Sequence, residues 1–297
     1  MGHEASGIVH KIGTAVTSVQ VGDHVAIEPG IPCRRCQRCK DGFYNLCIAV
    51  KFAAAPPDAH GMLTKYYRTP EDFVYKVPTG ADSLKEAVLV EPLSVAIHAV
   101  RLAKIRPRQV VLIIGSGTIG LLCAAVARVF GAHRVIVSDI VERRLDFAKG
   151  YLDCDTFLSN IRDTAEKNSE RLKRECGISQ GVDAVIEASG ADRSIQTAVH
   201  ALRPGGSYVQ TGIGEPMVEV PMVMLSEKEL RVRGCFRYGP GDYELAIKLV
   251  SQGTISLGPL ISSVSPFEST TAAWEKTRQK DGIKNIIEVF KTEEVEE

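Results

Sequence analysis

Neither sign of charge is in excess: 36 basic side chains are matched by 36 acidic ones. A balanced chain exerts no long-range pull on nucleic acid or on an anionic membrane face, so neither is expected as a partner. No uninterrupted apolar run reaches spanning length. The longest uncharged stretch, 110–127, comes near it, but three glycines divide it into a strand, a turn and a helix. The first residues lack an apolar core segment, so no secretory leader is expected and a cytoplasmic location is. Gly2 with Ser6 fits the short acylation pattern, which is prone to chance occurrence. Aromatic residues make up only 6%, with a single tryptophan, Trp274, read as a packing residue. Of the 8 cysteines, four crowd into one short stretch and Cys123, Cys154, Cys176 and Cys235 are scattered, which is no disulfide framework in a chain of 297 residues. A chain of that length can bury one large core or two modest ones.

The texture changes once along the chain. The first ninety or so residues read as β-rich, with short apolar or alternating runs at 7–10, 23–27, 64–67 and 73–77 broken by Gly and Pro. Helical periodicity starts at 87–103. Strands are then predicted at 110–114, 135–138, 182–187, 207–211 and 230–236, and helices at 118–130, 143–151 and 194–202. Apolar strands joined by helices imply a parallel sheet covered on both faces. Helices at 243–252 and 269–280, a strand at 286–290 and an acidic, frayed tail after Lys291 complete the reading.

Between the first such strand and helix lies Gly115-Ser-Gly117-Thr-Ile119-Gly120. A lone G-x-G-x-x-G is weak, but here it has a strand before it and a helix after it. The first glycine makes the turn, the second lets backbone approach a pyrophosphate, and the third lets helix and strand pack closely. The diphosphate then meets a helix N-terminus, where free N–H groups favour anions. Asp139 ends the next strand, 19 residues after Gly120, where a carboxylate can hold the ribose hydroxyls of NAD and repel the 2′-phosphate of NADP. Arg143 and Arg144 follow, and an arginine there can also serve NADP. NAD is the expected cofactor. Cys33-x2-Cys36-x2-Cys39-x7-Cys47 supplies four thiolates in one loop, the donor set of a closed, structural zinc site, with iron–sulfur ligation the chief competitor. Arg34, Arg35, Arg38 and Lys40 would offset the thiolate charge. His10, His24, His60, His98, His133 and His200 show no ligand-like spacing.

The cysteine loop, the glycine fingerprint and the opening Gly2-His3-Glu4 together resemble the zinc-containing medium-chain dehydrogenase/reductase superfamily, over essentially the whole chain. Glu28-Pro-Gly, Phe52-Ala-Ala-Ala-Pro-Pro, Glu91-Pro-Leu-Ser-Val and Gly234-Cys-Phe-Arg-Tyr are similar to its polyol branch of sorbitol, L-arabinitol and xylitol dehydrogenases. Leu63-Thr-Lys-Tyr-Tyr, Leu202-Arg-Pro-Gly-Gly-Ser-Tyr-Val-Gln and Phe236-Arg-Tyr-Gly-Pro-Gly-Asp-Tyr carry the likeness furthest toward the xylitol dehydrogenase (D-xylulose reductase) type.

The resemblance implies an α/β architecture in which a Rossmann doubly wound parallel sheet (94–237) is inserted into a discontinuous GroES-like β-barrel catalytic domain (1–93, completed by 238–297), with the active site in the cleft. It implies that His3, Glu4 and Glu91 serve a catalytic zinc, and that Phe52, Glu91, Arg237 and Tyr238 line the substrate pocket. Gly115, Gly117, Ile119, Gly120, Asp139, Arg144, Gly212, Ile213, Phe236 and Arg237 would touch NAD. The implied reaction interconverts a polyol and a ketose, in a homo-oligomer, commonly a tetramer. Family members begin several tens of residues earlier and take a first catalytic zinc ligand, a cysteine, from that stretch, whereas no cysteine precedes Cys33 here. The barrel is therefore expected to be incomplete, with exposed strand edges, weak catalytic zinc binding and little turnover. A zinc-free reductase of the same superfamily and a non-catalytic NAD-binding protein are the competing readings.

Overall fold

The computed structural model describes residues 1–80 and 83–290, so the acidic tail after Lys291 lies outside the described residues. The chain forms two compact units, Met1–Ser94 with Tyr238–Glu297, and Val95–Arg237.

In the first unit, β1 (Ala5–Ile8), β2 (His24–Ile27) and, further on, a strand at Val74–Lys76 form an antiparallel sheet with β2 in the middle. Between them, β3 (Gly30–Ile31) pairs with β4 (Lys51–Phe52) and closes the base of the cysteine loop, which carries the short helix α1 (Gln37–Lys40). The Val74–Lys76 strand is β5. No strand forms at 64–67, contrary to the alternating pattern there. The N–H groups of Met62 and Leu63 instead bond the carbonyls of Gly2 and Met1, at 2.9 and 3.0 Å, and Thr64 N–H turns back on Met62. The helical periodicity of 87–103 is split into α2 (Ser83–Ala87) and α3 (Val90–Ala103), which puts Glu91 in the first turn of α3. Pro92 is tolerated there because a first-turn N–H has no helical acceptor to lose.

The second unit runs β6 (Val110–Ile114), α4 (Thr118–Val129), β7 (Arg134–Asp139), α5 (Glu142–Tyr151), β8 (Asp155–Leu158), α6 (Ala165–Glu175), β9 (Val182–Glu187), α7 (Asp192–Ala201), β10 (Leu202–Gln210), α8 (Met222–Glu227) and β11 (Arg231–Gly234). Its six strands are parallel in the order β11-β10-β9-β6-β7-β8. Strand order reverses at β6, and in such sheets ligands bind outside the carboxyl ends at that reversal. The drive is burial: Leu112, Ile113, Leu121, Leu122, Ile136 and Ile186 are sealed from solvent, at roughly 1.5–3 kcal/mol for each side chain of that size. β8 and α6 are not among the elements expected from the sequence. The buried face of α6 is Ala165, Asn168, Ser169 and Leu172, only two of them apolar, set against a strongly charged outer face, and its start is fixed by Thr164, whose hydroxyl accepts the Lys167 N–H at 3.2 Å. Of β8 only Phe157 is buried.

After Arg237 the first unit resumes with α9 (Asp242–Ser251), β12 (Ile261–Pro266), α10 (Thr270–Arg278) and β13 (Lys284–Glu288), the two strands pairing in parallel. Among the described residues, no helix is long and apolar enough to cross a membrane.

Candidate functional site

In the second unit the glycine fingerprint forms the turn from β6 to α4, with Gly117 as the N-cap of α4. Ile119 and Gly120 lie in that helix's first turn. A Cβ on Gly120 would overlap the Gly115 carbonyl, so helix and strand approach more closely than any side chain permits. Asp139 ends β7 and is buried. Its Oδ1 accepts the N–H groups of Ile140 and Val141 at 2.7 and 3.0 Å, and its Oδ2 accepts the Ser116 N–H and hydroxyl at 2.8 and 2.7 Å. Sequence reasoning missed Ser116, because only the folded turn brings it onto the carboxylate. Arg144 sits in the first turns of α5. Gly212 and Ile213 follow β10, and Phe236 and Arg237 follow β11, with the Arg237 guanidinium stacked 4.5 Å over the Phe236 ring. All these positions fall at the carboxyl edge of one sheet.

In the first unit the ligand atoms of Cys33, Cys36, Cys39 and Cys47 all lie within 4.8 Å of one another. The Sγ atoms of Cys36 and Cys39 are 3.5 Å apart. That is far beyond the ~2.05 Å of a disulfide and near the ~3.8 Å that two sulfurs on one tetrahedral zinc adopt at ~2.3 Å each. Backbone N–H groups of Cys33 and Cys36 point at the sulfurs of Cys47 and Cys33, each at 3.3 Å. Four soft donors with inward-pointing N–H groups fit zinc.

The loop is clasped from behind by a buried carboxylate. Glu28 accepts the Tyr44 hydroxyl, from within the loop, and the Tyr75 hydroxyl from β5, both at 2.8 Å. Burial pushes Glu28 up to about 7, opposed by those two hydrogen bonds and assisted weakly by Glu244 and Asp72. Burial and the Glu28 charge keep both tyrosines protonated well above their usual range. Because the folded value lies above the unfolded one of 4.5, the contribution of Glu28 to stability is complete below pH 4.5 and is lost as pH rises toward 7. The loss amounts to about 3 kcal/mol. Glu28→Gln stays neutral throughout, so its stability relative to the parent should improve between pH 5 and pH 8. Urea midpoints of zinc-loaded protein at the two pH values test this, and an equal difference at both would refute it.

A second donor group lies in the same unit. His3, Glu4 and Glu91 bring their ligand atoms within 4.8 Å of one another. His3 is exposed, Glu4 half-buried and Glu91 buried. Phe52 stands beside His3 with ring centroids 5.5 Å apart. One nitrogen and two carboxylates suit zinc chemically, though with three protein donors the shell is open. Lys284 of β13, which sequence reading passed over, forms an ion pair with the Glu4 carboxylate. Any metal therefore shares Glu4 with an ammonium group. A cavity of about 610 Å³ opens here, lined among others by His3, Glu4, Ser6, Trp274, Lys284 and Ile286. Residues of both β1 and β13 face it, and among the described residues each strand pairs on one side only, with β2 and β12 respectively. Tyr238 is buried nearby in sequence from α9, edge-on to Tyr243 at 5.0 Å. The rings meet edge to face, and among the described residues the Tyr238 hydroxyl makes no well-formed hydrogen bond. Burial, with Glu91 and Glu28 adding to it, keeps this hydroxyl protonated.

A doubly wound sheet with a diphosphate-ready turn, joined to a β-rich unit bearing two metal-competent clusters, is the build of a dinucleotide-dependent, metal-assisted oxidoreductase. The comparisons agree: residues 1–79 match the alcohol dehydrogenase GroES-like domain, and residues 118–252 match the zinc-binding dehydrogenase domain. The chain belongs to the zinc-binding dehydrogenase family. It is 50% identical over 287 residues to the D-xylulose reductase A of Aspergillus oryzae, covering 97% of this chain and 79% of that one. Among solved structures it is similar to L-idonate 5-dehydrogenase of Escherichia coli, with a TM-score of 0.86 at 29% identity, covering 98% of this chain and 81% of that one. A Sinorhizobium meliloti protein solved with bound NADP gives 0.79 at 27% identity, covering 91% and 78%.

Proposed function

We propose that this protein is an NAD-dependent, zinc-assisted polyol dehydrogenase, interconverting xylitol and D-xylulose, with sorbitol or L-arabinitol as related substrates. The observation that carries the reading is the convergence of His3, Glu4 and Glu91 in a chain half identical to a D-xylulose reductase. Residues 1–93 with 238–297 are the catalytic domain on this reading, and 94–237 the NAD domain. A zinc ion held by His3, Glu4 and Glu91 would supply Lewis-acid polarisation of a secondary alcohol oxygen. Nicotinamide supplies the hydride chemistry.

The chain's own groups do the rest. Tyr238 is a buried, protonated donor without a well-formed bond; such a group costs stability until a ligand hydroxyl satisfies it. Arg237 would bind a second hydroxyl, which an apolar pocket would leave unpaired. Phe52 would form the apolar wall beside the reacting carbon. Ile119, Asp139 and Arg144 would hold the adenosine half of NAD, the glycine turn its diphosphate, and Gly212, Ile213 and Phe236 the nicotinamide half. We place the enzyme in the cytoplasm as a homo-oligomer, a tetramer by resemblance.

Competition from Lys284 makes the zinc at Glu4 weaker than that at the cysteines. Metal analysis should find one zinc per chain that survives mild chelation and a second that does not. NADH oxidation with D-xylulose should be slow and should rise with added zinc. The competing reading is an NAD-binding protein without turnover, favoured by the ion pair on Glu4. A zero rate at saturating zinc, on protein that binds NADH, would select it.

A further inference from the structure

Glu187, at the carboxyl end of β9, is fully buried, and among the described residues no cation pairs with it. Its carboxylate faces donors only. One oxygen accepts the Ser189 N–H at 2.9 Å and the Ser189 hydroxyl, and both oxygens share the Gly190 N–H, at 3.1 and 2.9 Å. The other oxygen also accepts the Gln210 amide at 2.9 Å. Such a buried acceptor is over-supplied for stability alone. A neutral, apolar core at the same place would need none of these groups.

The network's output lies elsewhere, at Gly212. The Gly212 N–H bonds the Glu187 carbonyl at 2.8 Å. The Gly212 carbonyl accepts the same Gln210 side-chain amide at 2.8 Å, and the Gln210 side-chain Oε1 accepts the Tyr208 hydroxyl. A Cβ on Gly212 would stand 2.7 Å from the Glu187 carboxylate and 2.8 Å from the Ser189 nitrogen, and the backbones of Gly190 and Ile213 are packed as tightly. Two strand-end turns, 188–190 after β9 and 211–214 after β10, are thus locked together through one side chain. Ile213, at the tip of the second turn, is 96% exposed; nothing in this unit covers it, so its position rests on the turn behind it.

We propose that Glu187 is a positioning residue for the cofactor: it fixes the Gly212–Ile213 turn so that the nicotinamide half of NAD meets a preformed edge. This rests on the reading of this edge as the dinucleotide site. The adenosine half leans instead on Gly115–Gly120 and Asp139, which are held by their own bonds to Ser116, Ile140 and Val141. Glu187→Gln keeps the shape but turns a donor toward the N–H groups of Ser189 and Gly190 or the amide of Gln210, so the turn loosens.

Full-length protein is titrated with NADH and, separately, with ADP-ribose, which lacks the nicotinamide. Glu187→Gln should weaken NADH about tenfold and leave ADP-ribose unchanged. Ser189→Ala, which removes one donor and no charge, should show the same split to a smaller degree, and it carries the test if the first variant does not fold. An unchanged NADH affinity in both variants overturns the proposal, as does an equal loss for both ligands, which would mark general destabilisation. If the parent protein itself failed to bind NADH, the dinucleotide reading would fall first, a result distinct from either.

Discussion

Asp139→Asn is expected to weaken NADH binding at least about tenfold and to erase the preference for NADH over NADPH. All four acceptor positions of the carboxylate are engaged by its own chain, two by Ser116 and two by the backbone of Ile140 and Val141. An amide must turn its NH2 toward one of those pairs of donors. A buried donor left without an acceptor costs about 1–3 kcal/mol, and the cost falls on the turn that receives the diphosphate. The negative charge facing the ribose is lost at the same time, so a 2′-phosphate is no longer repelled. Fluorescence titration of both cofactors measures the two effects. An NADH affinity within about twofold of the parent would show that Asp139 neither holds the ribose nor shapes a turn on which the diphosphate depends.

The other large effect belongs to the cysteine loop. Cys39→Ser should lose the tightly held zinc and lower the melting temperature of the first unit by roughly 10 °C. Serine is a poor zinc ligand, and three thiolates cannot close a tetrahedron around the ion. Loss of the metal frees 33–47, which has few apolar contacts of its own: Phe43 and Leu46 are exposed, and Cys47 and Asn45 are its buried residues. Tyr44 would then leave Glu28, so a buried carboxylate loses one of its two donors. Calorimetry and metal content of the variant, beside the parent treated with a strong chelator, give the comparison. Retention of one zinc with an unchanged melting temperature would remove the cysteines from the metal assignment.

Much of the second unit could be read from residues because its signals are local. The strand at 110–114 is five apolar residues that end on a glycine, and β6 has those bounds. The strand expected at 182–187 likewise has the bounds of β9. In α6 the buried face carries Asn168 and Ser169 beside Ala165 and Leu172, so the helix is marked by its charged outer face and not by an apolar stripe; in the edge strand β8 only one side chain is buried, and no local pattern marks it. The 64–67 segment failed for the opposite reason. Its alternation is genuine, but its backbone neighbours found partners in Met1 and Gly2. The Lys284 ion pair on Glu4 joins residues 280 positions apart and could not have been inferred from either neighbourhood.

Spacing alone determined the four-cysteine donor set, the glycine turn and the strand-end aspartate, because each is a short-range pattern whose chemistry is carried by residue type. Only the tertiary structure decided how those groups are occupied: that Asp139 is already saturated by Ser116 and two backbone N–H groups, that Glu28 is clasped by two tyrosines, and that Glu187 ties two turns together. Hydrogen-bond saturation and burial depend on which distant segments meet, and that is fixed by packing rather than by order along the chain.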